Sequence, residues 1–258
     1  MQFVGSLPGR SRPILVKAIN GVSYVVKFPD NSREPNALFN EAAGIELYRT
    51  FRLHVSCWER LLLTKEFLDQ NPNCMETPDG HIRPEPGLCL GIRHLVDSAH
   101  SLVENLPPSS FERIRNRTSF WLAWLIDICC GRSDPREALF LEDGNGRLDA
   151  HFVDFESQFG KFDLEIELWK KDTKRRTDLF ASQYSDRRIY PSLSLTEARK
   201  LQWALQTFDL EDLHSRVRRI PREWWAPSTA VSYMGALSDL RNRKLVKSIV
   251  KTFLDFRL

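Results

Sequence analysis

The alternation of apolar and polar positions divides the chain into a strand-rich first part and a helix-rich second part. Residues 14–19 carry branched apolar side chains and read as a strand, and Asn20-Gly21 follows as a two-residue hairpin turn. The next run, 22–28, alternates, with Val25 and Lys27 on one face and Tyr24, Val26 and Phe28 on the other. After Glu34-Pro35 the period becomes helical: Leu38, Glu41, Ile45 and Tyr48 fall on one stripe. Glu41 therefore sits on the face predicted to be buried. A buried carboxylate needs a cation, and Lys27, on the strand leading into this helix, is the nearest in sequence.

Further strands are predicted over 55–64 and 86–94, with a helical turn over 65–70 and an irregular, proline-rich insertion over 71–86. The stretch 102–108, ending in Pro107-Pro108, predicts a hinge before a long helix over 109–129, N-capped by Ser109 or Ser110 and apolar on every side at 120–126. Asp127 within that helix is read as a hydrogen-bonded structural carboxylate. The helix is expected to stop at Gly131. Residues 138–141, the turn 142–146 and 148–155 predict a hairpin with positive φ at Gly144 and Gly146, carrying Asp134 and Asp154 to its opposite ends. Beyond Gly160 the pattern is helical at 164–171, 195–206 (capping box Ser194/Glu197), 210–219 and 231–256, with Trp224 and Trp225 as packing residues.

Composition narrows the function. With 258 residues, 42% hydrophobic content and seven Trp, the chain can build a sizeable core. A net charge of +3 from 37 basic and 34 acidic residues argues against a dedicated nucleic-acid or membrane-surface binder. The basic run 170–176 accordingly reads as a solvated face. Five cysteines without paired CxxC spacing indicate neither a disulfide framework nor a zinc site. With no leader-like segment and no long apolar run, the protein is expected in the cytoplasm, without a membrane partner.

The candidate chemistry lies in two stretches, 130–137 and 151–156. Each places an Asp, Asp134 or Asp154, at the edge of a hydrophobic segment, a layout suited to a divalent metal holding a phosphate. Ahead of the first strand, the loop 5–13 can fold its backbone N–H groups and Ser11 over a phosphate chain. Loop, strand Lys, helix Glu, hinge, apolar helix, loop Asp, hairpin and Asp-Phe-Glu follow one another in the order found in protein-kinase-like phosphotransferases.

The chain resembles the HipA-like kinases of bacteria, most closely their short single-domain members. The resemblance rests on Gly9-Arg10-Ser11-Arg12-Pro13, Tyr24-Val25-Val26-Lys27-Phe28, Asn40-Glu41, Pro86-Gly87-Leu88, Gly91-Ile92-Arg93, Ser133-Asp134-Pro135-Arg136-Glu137-Ala138-Leu139-Phe140, Val153-Asp154-Phe155 and Ile220-Pro221-Arg222-Glu223-Trp224. It implies an α+β, bilobal protein-kinase-like fold, with a small β-rich N-lobe over 1–106 containing one main helix and a larger, mainly helical C-lobe over 107–258. It implies an ATP- and Mg2+-dependent phosphotransferase acting on Ser or Thr of a protein. Gly9 and Ser11 would cover the ATP phosphates, and Lys27 would pair with them while held by Glu41. Asp134 would accept the substrate hydroxyl proton, and Asp154 would bind the metal. Glu137 stands where short members carry a Gln-like second metal ligand. Glu156 replaces the Gly that usually ends the Asp-Phe-Gly signature, which would limit how freely that segment flips. A nucleotide-binding pseudokinase and a small-molecule kinase are the alternative readings on the same scaffold.

Overall fold

A computed structural model describes residues 1–7, 11–29, 36–75, 84–96, 100–132, 136–159, 187–226 and 229–255. Gly9, Asp134 and the stretches 164–171 and 170–176 lie outside the described residues.

The first part is a five-stranded antiparallel sheet in the order β1-β2-β3-β5-β4, made of β1 (Gln2–Ser6), β2 (Ile14–Lys17), β3 (Ser23–Lys27), β4 (Trp58–Leu63) and β5 (Gly87–Arg93). Gly21 takes φ 81° in the β2–β3 turn, the conformation an Asn-Gly reversal demands. β3 sits between β2 and β5, and its last residue, Lys27, pairs with Leu90. One face of the sheet buries Ile14, Val16, Tyr24, Val26 and Phe28 against Phe67 and Leu68 of the short helix α2 (Lys65–Gln70). The strand β1, with only Phe3 and Val4 apolar, was not read from its pattern.

Helix α1 (Ala37–Thr50) is buried at every position from Ala37 to Tyr48, polar residues included. It packs on α5 (Leu210–Val217) and on the 3-10 turn Arg222–Trp224, with Phe39 against the Trp225 ring at 4.5 Å. The stripe through Leu38, Glu41, Ile45 and Tyr48 is thus part of a helix buried all round, a position that requires its polar groups to be partnered.

The long helix expected over 109–129 is interrupted. A 3-10 turn covers Pro108–Arg113, and α3 runs only from Ser119 to Cys130, ending at Gly131 with φ 66°. Tertiary pairing accounts for the break. Ile114 bridges Leu148, Arg115 N–H donates to Leu148 O, and the Asn116 amide exchanges hydrogen bonds with the Ala150 backbone. Residues 114–116 thereby cover the open edge of β8, and backbone committed to that edge cannot also close helical turns.

A second, three-stranded sheet holds β6 (Ser101–Val103), β7 (Glu137–Glu142) and β8 (Leu148–Val153) in that order. Glu137 pairs with Val153, so the entry to β7 and the exit from β8 lie at the same end of the hairpin, not at opposite ends. An antiparallel pair admits no other arrangement. Of the two turn glycines only Gly146 has positive φ, at 72°; the Asp143 carboxylate organises the rest by accepting from Asn145 N–H and Arg147 N–H. The helices α4 (Leu195–Thr207), α6 (Thr229–Arg241) and α7 (Arg243–Asp255) complete the fold. Asn242 splits the run expected over 231–256 by accepting from Lys244 N–H and Leu245 N–H. No helix among the described residues is long and apolar enough to cross a membrane.

One pair beside this hairpin makes stability depend on pH. The His54 and His151 rings lie 5.2 Å apart, and burial, then the His54 charge, pushes the His151 imidazole down to about 4. The unfolded chain takes up that proton near pH 6.5. Its contribution is therefore fully present above pH 6.5 and lost as pH falls toward 4. Partial exposure reduces the effect to about 1 kcal/mol. Melting curves at pH 7 and pH 5 should show a smaller acid-induced loss in His151→Phe than in the parent; equal losses would refute the assignment.

Candidate active site

Lys27 ends the central strand of the first sheet and is buried, although its ammonium requires charge partners. It finds three. Its Nζ donates to Glu41 Oε2 at 2.9 Å, lies 2.9 Å from Glu156 Oε1 and stands 3.6 Å from Asp154 Oδ1. Glu41 comes from the middle of α1, while Asp154 and Glu156 follow directly on β8. Two strand ends and one helix thus converge on one point. Glu41 also accepts from Phe155 N–H at 2.8 Å, and Asn40 Nδ2 donates to Glu156 O at 2.8 Å, so α1 grips the Asp-Phe-Glu segment at two places.

Three carboxylates surround this ammonium, and Arg132 and Arg136 add positive charge near Asp154. Burial opposes the charge on Lys27, but Glu41, Glu156 and Asp154 together raise its pKa well above the ordinary value. Burial raises the Glu41 carboxyl, and the charges of Asp154 and Glu156 add to this against the pull of Lys27. Burial acts the same way on Asp154, yet Lys27, then Arg132 and Arg136, outweigh it and hold that carboxyl below the usual range. The excess of hard oxygen donors fits a divalent cation of the Mg2+ or Mn2+ kind. Carboxylate oxygens of Glu41, Asp154 and Glu156 lie within 4.8 Å of one another. Glu41 is committed to Lys27 and to Phe155 N–H, which leaves Asp154 and Glu156 as the pair able to turn toward an ion.

Glu137 is exposed at the start of β7 and is not one of those three acids, so the residue brought into the cluster is Glu156. Partial burial, then the nearby Asp154 charge, raises the Glu137 carboxyl, and its exposure places it at the rim. Sequence reasoning treated Glu156 only as a departure from a glycine. A carboxylate two residues beyond Asp154 was the available signal. Ser11 lies just ahead of β2, after a stretch outside the described residues, and Asp134 lies in the undescribed connection between Arg132 and Arg136. A separate cavity of about 320 Å3, lined by Leu53, Trp121 and Leu201 among others, contains none of the clustered residues.

Asp154 has φ 58°, a left-handed conformation that costs about 1 kcal/mol for a residue with a Cβ. Something must hold it there. Beneath it, the Arg136 side chain is fully buried and donates to Val153 O at 2.9 Å and Asp154 O at 3.1 Å. Its other hydrogen bonds reach Asp127 and Gln158, and its guanidinium lies against the Tyr48 and Phe155 rings. Asp127 is the structural carboxylate expected from the sequence.

The close packing of Phe155 on α1 can be tested at Gly44. A Cβ there would lie 2.7 Å from Phe155 Cβ and Cδ1. Alanine should add about 1 kcal/mol of helix stability, but overpacking costs about 1–3 kcal/mol, and Phe155 is enclosed by Tyr48 and Arg136. Gly44→Ala is therefore expected to lower stability by about 1 kcal/mol in denaturant unfolding. A variant more stable than the parent would contradict the contact.

No protein-family model matches the chain, and no curated protein does. Solved structures similar to it include two kinases. A Helicobacter pylori proinflammatory kinase, CtkA, has a TM-score of 0.52 at 15% identity over 99% of this chain and 95% of that one. A Golgi casein kinase with Mn/ADP bound has a TM-score of 0.53 at 14% identity over 99% of this chain and 74% of that one. At such identities the likeness is one of fold, and the chain has a mixed α/β, protein-kinase-like fold.

Proposed function

We propose that the protein is an ATP- and divalent-metal-dependent phosphotransferase of the HipA-like type, phosphorylating Ser or Thr of a protein. In this reading it is bilobal, with an N-lobe over 1–106 and a C-lobe over 107–258. The observation that carries the proposal is the Lys27–Glu41 ion pair at 2.9 Å with the Asp154 carboxylate 3.6 Å from the same ammonium. Lys27 would bind α- and β-phosphate oxygens, oriented by Glu41. Backbone N–H groups around Gly9, with Ser11, would cover the phosphates. Asp154, with Glu156 nearest and Glu137 at the rim, would hold Mg2+ or Mn2+, which supplies neutralisation of phosphate charge when bound. Asp134 would accept the proton of the attacking hydroxyl. Most of the rate enhancement then comes from positioning and electrostatics.

The test is incubation with γ-labelled ATP and Mg2+ or Mn2+ against protein and peptide panels, beside an Asp134→Ala control. Label that appears on a Ser or Thr and disappears in the control supports the proposal. Absence of transfer to every protein and peptide acceptor would overturn it, and label on a sugar or aminoglycoside alone would select a small-molecule kinase. The contact of Glu156 with Lys27 favours a second reading, a nucleotide-binding module without transfer, because that carboxylate occupies the ammonium a phosphate would need. ADP binding without transfer in the parent would select this second reading.

A further inference from the structure

We infer that Arg136 is a positioning residue of the site proposed above, holding Asp154 in its left-handed conformation from a polar hub buried beneath it. This role rests on the proposed phosphotransferase reading. A guanidinium has five N–H groups. Here Nε meets Asp127 Oδ2 at 2.9 Å, and Nη2 meets Asp127 Oδ1 at 2.8 Å and Gln158 Oε1. Nη1 meets Val153 O at 2.9 Å and Asp154 O at 3.1 Å. The five donors thus face five oxygen contacts, two of them on the backbone that carries the Asp154 carboxylate.

The hub is tied to the rest of the fold at every member. Asp127, on α3, also accepts from the Tyr48 hydroxyl of α1 at 2.7 Å and from Gln158 Nε2 at 2.9 Å. The guanidinium plane lies 4.8 Å from the Tyr48 ring centroid and 4.3 Å from that of Phe155. Asp154 is therefore secured on two sides. Its carboxylate faces the Lys27 ammonium, and its carbonyl accepts from Arg136. A residue with φ 58° relaxes toward ordinary backbone unless it is held, and relaxation would turn its carboxylate away from Lys27. A lysine at 136 would retain the charge but has three donors and no planar fork, so it cannot serve Asp127 and both carbonyls together.

The experiment compares the parent with Arg136→Lys and with the double variant Asp127→Asn/Arg136→Met. The double variant removes both buried charges together while leaving an oxygen to accept from Tyr48 and Gln158 and an apolar stem between the rings. Three quantities are read: the melting temperature, ADP affinity without metal by calorimetry, and Mn2+ affinity in the presence of ADP by electron paramagnetic resonance. The expected result is a folded double variant whose metal-free ADP affinity stays within about twofold of the parent while Mn2+ affinity falls about tenfold or more. Arg136→Lys should move Mn2+ affinity in the same direction, and it decides the matter if the double variant does not fold. A purely structural hub predicts that restoring the fold also restores Mn2+ affinity, and that result would overturn the role alone. A parent that binds ADP neither with nor without Mn2+ would overturn the proposed function and this role with it.

Discussion

Lys27→Met should lose phosphoryl transfer by about 10^2- to 10^3-fold, equivalent to about 3–4 kcal/mol of barrier, while remaining folded at mildly acidic pH. The loss follows from removal of the one ammonium placed among Glu41, Asp154 and Glu156. Those three acids would then lack the ammonium that offsets their repulsion of a phosphate. The pH condition follows from Glu41, whose carboxyl is already raised by burial and by the neighbouring acids. Without Lys27 it rises further. An acid whose folded-state pKa exceeds its unfolded value stabilises the fold at low pH and loses that contribution as pH rises. The variant should therefore melt lower at pH 8 than at pH 5.5, by a wider margin than the parent does. Transfer at the parent rate would remove Lys27 from the proposed site.

Asp127→Ala should cost about 3–5 kcal/mol of folding stability, because it leaves the fully buried Arg136 guanidinium without its counter-charge. The Tyr48 hydroxyl and the Gln158 amide lose an acceptor in the same step. Against a typical total of about 5–15 kcal/mol this is a large fraction, and the variant should unfold in markedly less urea. By contrast, the Arg115 pairs with Asp143 and Asp149 lie at the surface, where solvent screens them, and disrupting them should change little. A urea midpoint for Asp127→Ala close to the parent's would show that the hub does not hold the fold.

What was legible in the sequence was whatever depends on near neighbours. The Asn20-Gly21 hairpin, the helix carrying Glu41, the β7–β8 hairpin and the Ser194/Glu197 capping box follow from turn chemistry, periodicity and a cap four residues long. The Lys27–Glu41 pair was legible for a related reason: a carboxylate on an apolar stripe implies a cation, and one lay nearby in sequence. The interruption of α3 was not legible, because nothing local distinguishes 114–116 from helix. Only the open edge of β8 draws those residues away.

The sequence by itself determined most of the local elements and supplied the charged residues from which a site could be built. Tertiary structure decided which of them meet. It brought Glu156 to Lys27 and left Glu137 at the rim, and it made Arg136 the support of Asp154 through oxygens from α3 and β8. The physical reason is that pattern and propensity act over a turn or a strand pair, whereas the burial of a charge is settled by whichever distant groups the packed core delivers to it.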